Sequence, residues 1–360
     1  MDRSKIFLKD ACPTSIGGQA VMEGVMMRGK DRLAIALRMP DGRIHIKTQA
    51  VQSPGRLAKI PVVRGVVALV NSLSIGMKTL LYSADALAYY GDGEAEEEGR
   101  LEKRLKNRFG DKTAWNLMLY SSLVLAILFA VLLFIILPTI LTHFLERVTD
   151  HPLLLNFFEG ILRLLIFLFY IILIRRNEEI KTTFRYHGAE HKTIHCFENG
   201  KELTPDNAAT FYTLHPRCGT SFLMFIMVVS LLVFSLLGWG SVWARILSRI
   251  LLIPLIAGLS YELLKAAGRT DKRLVQLISL PGLYLQKLTT AEPTKEQLEI
   301  AICSLKAVLV PKESPLIEGI CDTNAQLIEE VDIEAKRRKE GGAGDEGHES
   351  SAQGGEELEV

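Results

Sequence analysis

The chain has 360 residues, a formal net charge of +1 and 48% apolar residues. A near-zero charge without clustered excess Lys and Arg argues against a nucleic-acid partner, and five scattered cysteines without a CxxC pair argue against a disulfide framework. The distribution is less ordinary: neither Thr113–Thr142 nor Cys218–Ala244 contains a charged residue, and runs of that length fit membrane spans, which take about 20 apolar residues.

In chain order, residues 1–90 read as a cytoplasmic region. The segment Ser15–Gly29, "SIGGQAVMEGVMMRG", has four glycines and reads as loops. Alternation through "RLAIALR" and "IHIK" about Pro40-Asp41-Gly42 predicts a β-hairpin. Residues 61–90 have a helical pattern broken by Gly65 and Gly76. They read as one or two helices packed on protein or lying at the membrane surface, with a full span as the alternative. Residues 91–112 form a charged linker, acidic and then basic.

A membrane domain follows over residues 113–270, with spans at Leu117–Leu141, Leu153–Ile174, Phe222–Leu237 and Ile246–Leu264. Within it, Glu159 and Arg163 are four apart and read as an intrahelical ion pair facing the bundle. Lys and Arg crowd the flanks at Arg100–Lys112, at Arg175–Arg185 and at Lys265–Arg273, while the opposite loops are poor in them. The basic flanks place both termini, and the segment 175–221, on the cytoplasmic side. Residues 271–331 read as a cytoplasmic helical region. Thr294 and Gln297 make a capping box there, and Leu298, Ala301, Ile302, Leu305 and Leu309 share one face. Residues 332–360 are charged and glycine-rich, a composition that predicts disorder.

The chemistry concentrates in "RYHGAEHKTIHCFENG", Arg185–Gly200. As a helix over 177–199 continuing from the second span, it would stack His187, His191 and His195 on one face, with Glu190 and Glu198 beside them. "HGAEH" also has the HxxEH spacing of one class of zinc hydrolases, in which two His hold the ion and the Glu serves as base. His195 lies about 12 Å along the axis from His187, so one ion cannot take all three imidazoles and a ligand must come from elsewhere. "HPRC" supplies His215 and Cys218 from a Pro/Gly loop on the same side of the membrane, and both are preferred zinc ligands. Two blander readings compete: a solvated helix contacting lipid phosphates, and Cys218 as an apolar core residue. Glu23, Arg28 and Glu262 are further candidates: the first two lie in the glycine-rich segment, the last near the cytoplasmic end of the fourth span. Glu262 could place another carboxylate near the histidine helix.

The segments "GGQAVMEGVMMRG", "YHGAEHKTIHCFE", "HPRCGTSF" and "LPGLYLQKLTTAEPTKEQLEIAI" resemble the YqhQ-like bacterial membrane proteins, over roughly Ser15–Val310. That resemblance implies a domain of unknown function described as predicted metal-dependent enzymes, and brings no reaction or substrate. The expectation is therefore a mainly α-helical, four-span protein of the cytoplasmic membrane with a small β-hairpin region. Its function would be metal-dependent and hydrolytic, with a divalent metal (zinc) held by His187, His191, His195, His215 and Cys218 as candidate ligands. Glu190 would be the general base. Membrane lipids, and a lipid-linked or membrane-protein substrate, are the expected partners. The alternatives are a non-catalytic membrane factor with a structural metal clip that binds a protein or lipid, and a transporter built on Glu159, Arg163 and Glu262.

Overall fold

The computed structural model describes residues 14–51, 60–91, 110–216, 218–238, 240–267 and 273–331, with 12, 55, 108 and 333 as isolated positions. The acidic linker with most of its basic flank, the basic residues Arg269 and Lys272, and the expected disordered tail lie outside these residues.

Strands β1 (Gly17–Val21), β2 (Gly24–Arg28), β3 (Arg32–Arg38), β4 (Ile44–Ala50), β5 (Glu318–Cys321) and β6 (Leu327–Glu330) form one antiparallel sheet in chain order. The expected hairpin is β3–β4. The reading of Ser15–Gly29 as loops is corrected: it is the hairpin β1–β2, joined at Met22-Glu23, with Glu23 at φ 47°. Glycine marks close approach in this hairpin more than irregular chain. A Cβ on Gly24 would lie 2.2 Å from the Ala36 carbonyl oxygen across the sheet.

Both faces of the sheet are covered, which is why β3 is buried at almost every position. Ala34, Ala36, Ile44 and Ile46 meet α11 (Lys295–Leu309) through Leu298, Ala301, Ile302 and Leu305. The Thr294–Gln297 capping box starts that helix as expected, whereas Leu309, at its last turn, is exposed rather than on the packed face. Leu33, Ile35 and Leu37 point the other way, onto Tyr82 and Ala86 of α1 (Val63–Tyr90). Burying apolar side chains of this size stabilises by about 1.5–3 kcal/mol each.

Because α1 lies over the sheet, the polar side chains of β4 are buried too. His45 Nε2 is 2.7 Å from the Tyr82 hydroxyl, and Lys47 pairs with Glu318 at 3.1 Å. Burial, reinforced by Lys47, pushes His45 down to about 4. The folded state thus binds this proton less readily than the unfolded chain. The stabilisation is complete above pH 6.5 and is lost as pH falls toward 4, amounting to about 3 kcal/mol. Thermal melting across that window should show the loss, and His45→Gln should flatten it.

The remaining helices form a bundle. α2 (Asp111–Val131) passes through a π-helical turn, Leu132–Ile136, into α3 (Leu137–His143). Then come α4 (Pro152–Ile174), α5 (Glu178–Glu198), the short α6 (Pro205–Ala209), α7 (Thr220–Ser235), α8 (Val242–Leu251), α9 (Ile253–Ala267) and α10 (Arg273–Thr289). Among the described residues, three helices are long and apolar enough to cross a membrane: Val63–Tyr90, Tyr120–Arg147 and Pro152–Ile174. The pair α8–α9 makes up to four, and it is bent by 47°. The expected fourth span is therefore broken at Leu252, where Pro254 has no N–H to continue the helix and crowds the carbonyl one turn back. α7, with 16 residues, is about 24 Å long, shorter than a bilayer core of about 30 Å. α10 falls within the expected helical region 271–331 and carries Pro281 inside it.

Glu159 and Arg163 do pair inside the bundle, at 2.9 Å, but the pair is part of a larger cluster. Arg249 of α8 reaches both Glu159 oxygens, at 2.7 and 2.8 Å, and Asn156 Oδ1 at 3.0 Å. Arg163 also donates to the Phe134 carbonyl, 2.9 Å away in the π-helical turn.

Candidate metal centre

The histidine helix is separate from the span before it. α4 ends at Ile174, and Asn177 starts α5 afresh: its side chain accepts from the backbone N–H groups of Glu179 and Ile180 at 2.8 and 3.2 Å. Gly200, at φ +64°, closes the far end. α5 is buried against the sheet and α11 over its second half, and Gly188 makes close packing possible. A Cβ there would stand 2.1 Å from the carbonyl oxygen of Ala291, just beyond α10.

That packing places two backbone carbonyls where they orient imidazoles. His187 Nδ1 is 2.8 Å from Thr289 O, and His191 Nδ1 is 2.5 Å from Thr213 O. A carbonyl only accepts, so both Nδ1 atoms carry the hydrogen. In the neutral rings both Nε2 lone pairs then face the same space. Cys218 closes that space from the loop before α7: His187 Nε2 is 3.2 Å from its Sγ. The ligand atoms of His187, His191 and Cys218 lie within 4.8 Å of one another. Around a tetrahedral zinc with bonds of 2.0–2.3 Å, donor atoms stand about 3.5 Å apart, so the set fits such an ion. His191 Nε2 is buried and has no hydrogen-bond partner among the described residues.

Glu190 lies against both rings, with Oε2 4.0 Å from His187 Nε2 and 3.9 Å from His191 Nε2. Strand β1 presses on it: a Cβ on Gly18 would stand 2.9 Å from its Cγ. Burial raises the Glu190 carboxyl above its usual range, against the pull of His191, His187 and the Gly18 N–H. Burial also opposes charge on the other two groups. Even so, the Cys218 thiolate lifts His187 to about 9, and the neighbouring His191 and His187 hold the Cys218 thiol well below its ordinary value. The site is therefore disposed toward a thiolate, the form that binds metals.

The other candidates are distributed around this group. His215 stands beside it, its ring centroid 5.6 Å from that of His191 and 4.7 Å from that of His195. Its Nε2 is 3.8 Å from Glu198, whose other oxygen accepts from the Thr14 N–H and hydroxyl at 2.8 Å. His195 Nε2 is bonded to the Leu214 carbonyl at 3.0 Å. These three thus form a polar layer next to the His187–His191–Cys218 group. Glu23 accepts from the Tyr186 hydroxyl at 3.2 Å, at the far turn of β1–β2. Glu262 is bound instead at the start of α1, by Arg64 and by the N–H of Val62, the residue before that helix. Arg28 lines a cavity of about 700 Å³ that also reaches His187 and Cys218.

Sequence reasoning missed several residues that build the site. Gln286 bonds both the N–H and the carbonyl of His215, at 2.8 and 2.9 Å, and so pins the HPRC loop to α10. Thr213 and Thr289 act through their carbonyls, which carry no side-chain signature. Gln286 and Thr289 fall in the quoted "LPGLYLQKLTTAEPT" stretch, the one available signal.

Residues 60–311 match the family model described as "Protein of unknown function (DUF1385)". The chain is also 35% identical over 309 residues to "Uncharacterized protein YqhQ" of Bacillus subtilis (strain 168), covering 84% of this chain and 94% of that one. No solved structure matches.

Proposed function

The chain belongs to the DUF1385 family, whose function is unknown, and from that premise we propose a metal-dependent hydrolase of the cytoplasmic membrane. One divalent ion, zinc by its donor set, is held by His187, His191 and Cys218. The observation that carries this reading is the pair of carbonyl-fixed imidazoles whose Nε2 atoms converge on a thiolate-prone cysteine, one of them a buried acceptor with no hydrogen-bond partner among the described residues. An ion there would supply Lewis acidity. Glu190 is placed to take a proton from an attacking water and return it to the leaving group, and burial, which raises its carboxyl, makes it a stronger proton acceptor than an exposed glutamate. In this reading the chain crosses four times, by α2–α3, α4, α7 and α8–α9, with both termini cytoplasmic as the basic flanks ask; the short α7 crosses where the bilayer thins to meet it. α1 is not counted as a crossing, because Tyr82 and Ala86 lie on the sheet.

The competing reading is a structural clip with four protein ligands, and Glu190 would have to supply the fourth. A Glu190→Gln variant separates the two. As hydrolase, the variant keeps its metal and stops converting components of a total membrane lipid and membrane-protein extract, followed by mass spectrometry. Loss of metal together with unchanged composition in the wild-type incubation supports the clip instead.

A further inference from the structure

We propose that the 700 Å³ cavity beside the metal centre is a binding site for an anionic lipid, with its phosphate at Arg28 and its acyl chain along the helix side. The inference rests on the membrane placement proposed above and not on the metal. The cavity's lining is mixed. Its polar side chains include His187, Cys218, Thr220 and Arg28 of β2, and the first two belong to the candidate metal centre. Its apolar ones include Ile75 of α1, Ile171 and Ile174 of α4, and Phe184 of α5. Ile171 and Ile174 form the last turn of a helix long and apolar enough to cross the bilayer. A wall made of the end of a span opens at headgroup level.

Arg28 is half-buried, and no carboxylate pairs with it among the described residues. A guanidinium held against an apolar wall without an anion is incomplete, since desolvating it costs free energy that a bound anion would offset. At headgroup depth on the cytoplasmic leaflet, the anions that carry an apolar chain are lipid phosphates. The charge therefore selects the head and the isoleucines accept the tail. The same pose brings the bonds nearest the head toward His187 and Cys218, which line the cavity, and would make an anionic lipid or lipid-linked phosphate the substrate class.

The test is titration of the full chain in neutral detergent, read by native mass spectrometry, with three probes: dioleoyl phosphatidic acid, dioleoyl phosphatidylcholine and inorganic phosphate. Phosphatidic acid should bind at least about tenfold more tightly than phosphatidylcholine. Arg28→Ala should remove about that factor, one charge-assisted contact, and Arg28→Lys should retain most of it. Inorganic phosphate should bind far more weakly than the lipid, and Ile174→Asp should weaken phosphatidic acid binding while circular dichroism stays native. Equal binding of the two lipids, indifference to Arg28→Ala, or phosphate binding as tight as the lipid would each overturn the proposal. Metal content is measured on the same samples. Lipid selectivity without metal would leave this site standing and remove the metal reading; metal without selectivity would do the reverse.

Discussion

Glu159→Ala is expected to destabilise the bundle by about 3–5 kcal/mol, the cost of leaving a buried ion without its partner. The arithmetic of the cluster explains why this substitution is the severe one. Two buried guanidiniums, Arg163 and Arg249, share a single carboxylate, and both rest on the Phe234 ring, at 5.1 and 4.9 Å. Removing Glu159 leaves two like charges with the Phe234 ring, the Phe134 carbonyl and Asn156 but no carboxylate between them. Removing one arginine instead leaves a neutral pair. Arg163→Met should therefore cost clearly less than Glu159→Ala. Thermal melting of the purified protein in detergent reads both. An Arg163→Met variant as unstable as Glu159→Ala would show that packing, not charge balance, governs the cluster.

Chelation should have an effect of similar size at the proposed metal centre. The proposed ion joins α5 to the loop before α7, and it binds the folded chain alone. With free metal at roughly 100–1,000 times its Kd, its removal should lower stability by about 3–4 kcal/mol. Cys218→Ser should abolish the difference between chelated and metal-loaded samples. The dependence should also weaken at low pH, because His187, held at about 9 without metal, must give up its proton to ligate. Equal melting with and without chelator would mean that the cluster contributes nothing to the fold.

The helix that carries the site was legible because its signal is periodic. Imidazoles four apart must share a face, and Cys218 was reached through the expectation that both segments flank spans on one side of a membrane. The selection among ligands was not legible. Whether His215 or Cys218 completes the group depends on how the HPRC loop is pinned, and that is the work of Gln286, about 70 residues away. The orientation of His187 and His191 depends on main-chain carbonyls, which any residue could provide. Glu262 was misplaced for a related reason. Its height along α9 was readable, but its azimuth toward Arg64 was fixed by the contact of Gly65 with Gly258, a helix–helix packing that the sequence shows only as two glycines. Composition misled at Ser15–Gly29, where glycines serve strand contacts, one of them against Glu190 itself.

One ion at His187, His191 and Cys218 would be counted by elemental analysis of the full chain, purified without added chelator. The expected result is about one zinc per chain in the parent and none in the His187→Ala, His191→Ala double variant, with native circular dichroism in both. A folded parent without stoichiometric metal, or a double variant that keeps the parent's content, would contradict it.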